Sequence, residues 1–141
     1  MGAPEPGLVI PFVYLWRREH QAGEESGRKI RPRLIVAAVH RSSAGRIRVA
    51  VVPVTTQVPE TARSAIAIPP RVRTHLGLDA AASWIICDEY NDFDWPGVDL
   101  GTTPKGDSAF GHVPDALLEQ VRAEMRAARK RGALKSVPRT E

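Results

Sequence analysis

Apolar residues along the chain fall into short runs punctuated by turn-forming residues. Leu8-Val9-Ile10-Pro11-Phe12-Val13-Tyr14-Leu15-Trp16 is rich in β-branched and aromatic side chains and reads as a strand, with an edge or bulge at Pro11. Arg17 to Ile30 carries many charges and Gly23 and Gly27 with neither helical nor strand periodicity, which predicts a long loop. Arg33 to His40 and Arg46 to Thr55 are strands joined across Arg41-Ser42-Ser43-Ala44-Gly45, whose small polar residues suit a hairpin turn. In the second strand Arg46 and Arg48 alternate with Ile47, Val49 and Val51, the pattern of a half-buried strand whose outer face begins basic. Ser64 to Ile68 is a further short strand. Pro69-Pro70 opens a helical turn or two through Val72 and Leu76, which Gly77 stops.

Ser83 to Cys87 returns as a mostly apolar strand, the acidic stretch Asp88 to Asp94 follows directly, and Pro96 to Asp107 reads as a loop. A helix starts near Pro114 or Asp115, places Leu117, Leu118, Val121, Met125 and Ala128 at helical spacing, and ends at Gly132. Short strands with turn signals and a terminal amphipathic helix predict a mostly β (α+β) chain: a small barrel closed by a helix, one domain over residues 1–131, with 132–141 as a flexible tail.

Composition narrows the function. At 141 residues with 43% hydrophobic content, the chain suffices for one core and leaves no room for a second catalytic domain. No apolar run reaches the roughly 18 residues of a membrane span, so a soluble, unexported protein is expected. Cys87 is the single cysteine and reads as a buried structural thiol, and His20, His40, His75 and His112 are scattered, which gives no reason to expect a metal or another cofactor. The net charge of +4 and pI near 9.7 suit a nucleic-acid binder. Distribution says more: Arg17 to Arg48 holds nine basic and three acidic residues, whereas Asp88 to Asp107 holds six acidic residues and one Lys. One segment attracts phosphate and the other repels it.

Several short pieces occur in a telling order. Gly7 opens the first strand, Gly23-Glu24-Glu25-Ser26-Gly27 runs into Arg31-Pro32 before Leu34-Ile35-Val36, and a strand ends Pro53-Val54-Thr55-Thr56-Gln57. Gly77-Leu78 follows, then Ser83 and Asp88, then Gly111 ahead of the last helix. Together, from Gly7 to about Met125, these resemble the MazF/PemK family of toxin endoribonucleases. The resemblance implies an SH3-like β-barrel of the CcdB/PemK kind with a C-terminal helix. It further implies a cytoplasmic homodimer that cleaves single-stranded RNA without metal and is neutralised by a cognate antitoxin protein.

RNA can be cut without metal because its 2′-hydroxyl attacks the adjacent phosphorus, leaving a cyclic phosphate and a 5′-hydroxyl. The enzyme must stabilise a negatively charged phosphorane and move protons. Arg31 suits the first task, since a guanidinium makes paired hydrogen bonds to phosphate oxygens and stays charged at physiological pH. The resemblance assigns catalysis to Arg31 and to Thr55, rather than Thr56, whose hydroxyl would donate to a phosphate oxygen or orient the attacking group. Arg28, Lys29 and Arg33 would grip flanking phosphates, Thr56 and Gln57 lie beside the site, and Trp16 could stack a base or fill a core or dimer interface. Where the family usually carries a basic residue after Asp88, this chain reads Glu89-Tyr90-Asn91-Asp92-Phe93-Asp94-Trp95. Those acids are expected to face away from the RNA groove or to read exocyclic amines. The alternatives are a non-catalytic toxin or binding module on the same barrel acting on a protein, in the manner of CcdB, and an SH3-like RNA-binding module with a housekeeping role.

Overall fold

A computed structural model describes residues 4–14, 29–41, 46–78, 81–95 and 101–136. The described residues form β1 (Leu8–Tyr14), β2 (Lys29–Arg41), β3 (Arg46–Thr55), β4 (Ala65–Ala67), α1 (Pro70–Leu76), β5 (Trp84–Ile86), β6 (Glu89–Trp95), β7 (Gly111–His112), α2 (Asp115–Lys130) and β8 (Lys135–Ser136). The chain is thus mostly β with two helices. Its sheet runs β4-β5-β3-β2-β1-β7, with β6 also on β3, and curls into half a barrel. All pairings are antiparallel except that of β6 with β8.

Two strands lie where the apolar pattern picked out none. The acidic stretch that suggested no element is the strand β6, because Phe93 and Trp95 alternate with Asp92 and Asp94 and so give the segment one apolar edge. The segment after Gly132, expected as a tail, contains β8, whose Lys135 amide donates to the Asp88 carbonyl at 2.9 Å. The expected loop before Arg31 gives its last two residues, Lys29 and Ile30, to β2, and its residues 17–28 lie outside the described ones.

Successive residues on a strand point to opposite faces, and here both faces are covered. Val9, Leu34, Val52 and Val54 meet Leu117, Leu118 and Val121 of α2, together with Leu76 and Ile85. Ile10, Phe12, Ile35, Val49, Val51 and Phe93 form a second cluster on the other face, with the Phe12 and Phe93 rings 5.3 Å apart. A shift of register between Ile35 and Ala37 leaves Val36 without a partner on β3. Its carbonyl accepts instead from Arg122 of α2, at 2.8 Å and 3.1 Å, which ties the helix to the sheet. Gly7 enters β1 at φ 96°, close to Leu118, a backbone conformation that favours glycine.

Prolines cross the sheet at one level. Pro11 sits opposite Pro32 on β2, and Pro53 of β3 sits opposite Arg33. Proline has no N–H to give to a ladder. The β2–β3 pairing ends at Arg33↔Pro53 and the β3–β6 pairing at Val51↔Asn91, after which β3 pairs with β5 through Val54↔Ile85 and Thr55↔Trp84. The strands part at that level, and the cavities described next lie there.

Candidate active site

The β2–β3 register ends at Arg33↔Pro53, two residues from Arg31 on β2 and two residues from Thr55 on β3. Arg31 and Thr55 both line a cavity of about 330 Å³, with Arg33, Gln57, Arg63 and Glu89 also in its wall. A second cavity, of about 490 Å³, shares Arg31, Pro32 and Val54 with the first. Its wall includes Thr56, Leu78, Ser83 and Phe110. Arg31 borders both. The first cavity's wall mixes charged side chains with apolar ones such as Val54 and Ile86, and the second is mostly apolar surface interrupted by hydroxyls and Arg31.

Arg31 is half-buried, and its Nε–H is buried without a hydrogen-bond acceptor among the described residues. A guanidinium donor shut away from water without a partner is costly, while the side chain as a whole is half-buried and borders both cavities. The Thr55 hydroxyl oxygen accepts from the Gln57 amide at 3.1 Å, which leaves its own hydrogen to donate.

Arg33 differs from what was expected of a surface phosphate grip. It is 2% exposed, donates through Nη1 to Asn91 Oδ1 and lies 5.3 Å from the Phe12 ring centre. Its charge is therefore built into the cavity floor, held by β6 on one side and an aromatic face on the other. Gln57 lines the first cavity and Thr56 the second. Arg28 and Trp16 lie outside the described residues, and Lys29 is described in its backbone alone. His112 lines neither cavity and pairs with Glu5 at 2.9 Å.

The acidic residues of β6 and its approach each meet an arginine. Arg48 bonds Asp92 and Asp94 at 3.2 Å each, and Arg46 approaches Asp94 at 3.7 Å. Arg63 grips both Asp88 oxygens, at 2.7–3.0 Å, and reaches Glu89 Oε1 at 2.6 Å. Burial works against the Asp88 carboxylate, yet hydrogen bonds from Arg63 and the Ser64 amide and the charge of the guanidinium outweigh it. Its pKa lies below the ordinary value. Hydrogen bonds to Asp88 and, less, to Glu89 push the Arg63 pKa upward against the effect of burial. Cys87 is fully buried, and burial, with smaller effects from Glu124 and Asp88, pushes its thiol up to about 12, the behaviour of a structural thiol.

Arg63 and Asn91 are site residues that sequence reasoning missed, while Glu89, one of the acids expected to face away from the groove or to read exocyclic amines, lines the first cavity. The alternation across β6 could have placed Glu89 and Asn91 on one face with Phe93, but nothing local marks Arg63, which meets its partners 25 and 26 residues further on. Among the described residues, no group of three His, Cys, Asp or Glu side chains is placed to hold a metal ion, and no helix is long and apolar enough to cross a membrane. No protein-family model matches the chain, and comparison with curated proteins finds no match.

Proposed function

We propose that the chain is a toxin endoribonuclease of the MazF/PemK type: an SH3-like barrel working in the cytoplasm as a homodimer and held inactive by an antitoxin protein. The observation that carries this reading is Arg31. Its half-buried guanidinium, with one donor unpartnered among the described residues, borders two cavities, the first of which Thr55 also lines. In this role Arg31 holds the scissile phosphate and neutralises the charge that grows as the 2′-oxygen attacks, while Thr55 donates to a second phosphate oxygen. Arg33 adds fixed positive charge beneath them, and its contacts to Asn91 and Phe12 keep it from swinging away.

The alternative of a non-catalytic toxin with a protein target drew on the acidic stretch. With Asp88, Glu89, Asp92 and Asp94 each paired to arginine, that stretch is less of an obstacle to RNA. The test is incubation of the purified protein with unstructured RNA in excess chelator, followed by mapping of the ends. Cleavage leaving a cyclic phosphate and a 5′-hydroxyl is expected, with Arg31→Ala slower by on the order of 10²–10³-fold. Intact RNA, or equal rates for the variant, would refute the reading.

A further inference from the structure

Attack by a 2′-hydroxyl needs a group to take its proton, and neither Arg31 nor Thr55 is suited to that. Two adjacent carboxylates stand near the site, and the fold treats them differently. Asp88 does not line the Thr55 cavity; Arg63 grips it through both oxygens and the Ser64 amide donates to it as well. Such a carboxylate is spent on structure. Glu89 is the next residue, at the first position of β6, where strand alternation gives it the face shared by Asn91 and Phe93. That is the face of Arg33 and Arg31, and Glu89 lines the cavity with Arg31 and Thr55. Its Oε1 takes the Arg63 hydrogen bond, and no described residue donates to Oε2.

Resting on the nuclease reading above, we infer that Glu89 is the general base of this site, held by Arg63 in the wall of the cavity that Arg31 and Thr55 also line. Glu89 Oε2 accepts the 2′-hydroxyl proton as the 2′-oxygen bonds to phosphorus. The bond from phosphorus to the 5′-oxygen breaks, the leaving oxygen takes a proton from water, and Glu89 returns its proton to solvent. The charges around Glu89 are mixed. Arg63 bonds it directly, Asp88 precedes it, Arg31, Arg33 and Glu60 line the same cavity, and Lys135 of β8 is its register partner. Arg63 holds Oε1 and so fixes which oxygen faces the substrate.

The experiment compares the full chain with Glu89→Gln and Glu89→Asp on a single-stranded RNA that the wild type cuts, with kcat/KM followed from acidic to neutral pH. Binding is measured in parallel on the same RNA carrying a 2′-deoxy nucleotide at the cleavage position, and folding is checked by thermal melting. Glu89→Gln should slow cleavage by about 10²–10⁴-fold, abolish the fall in rate toward acid pH, and leave affinity for the deoxy RNA unchanged. Glu89→Asp should keep the acid limb at a reduced rate. A folded Glu89→Gln protein that cuts at the wild-type rate, keeps the acid limb, or loses rate only as far as it loses affinity overturns the assignment and leaves the nuclease reading standing. A wild-type protein that cuts no RNA removes both.

Discussion

The Asp88 carboxylate joins three parts of the chain, since Arg63 and the Ser64 amide donate to its side chain and its carbonyl takes the Lys135 amide. Asp88→Asn would put a neutral acceptor at a buried position beside Arg63, whose side chain is 36% exposed and keeps its bond to Glu89, and a loss of about 1 kcal/mol in urea unfolding is expected. Because the native pKa is depressed, the stabilisation is complete above the ordinary carboxylate range, about 3.9, and fades as pH falls through the lower native value. The variant should therefore lose less stability on acidification than the wild type, and parallel acid-unfolding curves would contradict this. Single residues were legible in the sequence where local motif or composition spoke for them. Cys87 in an apolar run was of that kind, whereas Arg31 and Thr55 were singled out through the resemblance and the fold brings both to one cavity wall. Arg63 was not legible, because its role exists only once a loop after β3 folds back onto the start of β6.

Strands and helices followed the apolar pattern wherever one period dominated. β3 and α2 run over the residues that alternation and helical spacing picked out, while β6 was hidden because its outward residues are acidic and drew attention to charge rather than to period. β8 has two residues and no pattern to read; what makes it a strand is an exposed edge of β6 beside the end of α2. Ending the chain at Gly132 would remove the Lys135 amide bond to Asp88 and that edge cover. A cost of about 1 kcal/mol is expected, seen as a melting temperature lower by about 4 °C. An unchanged melting curve would show that β8 contributes nothing to stability.

Across the whole molecule, the opposed charge blocks of the sequence turn out to be partners. Arg46 and Arg48 from the basic part lie against Asp92 and Asp94 from the acidic part, so much of the apparent conflict cancels within the β3–β6 pair. Sequence alone could count these charges but not subtract them, because subtraction requires the register. The proline seam through Pro11, Pro32 and Pro53 has a consequence of another kind, in time rather than in space. At that level the β2–β3 pairing stops and β3 changes partner from β6 to β5, so the end carrying Arg31 and Thr55 is expected to open locally before the rest of the sheet. Amide protons of Arg31, Val54 and Thr55 should exchange with deuterium faster than those of Leu34, Val51 and Val52, and a single common rate would mean that the sheet moves as one body. Such local motion would let a bulky single strand settle between two cavities without loosening the core behind them.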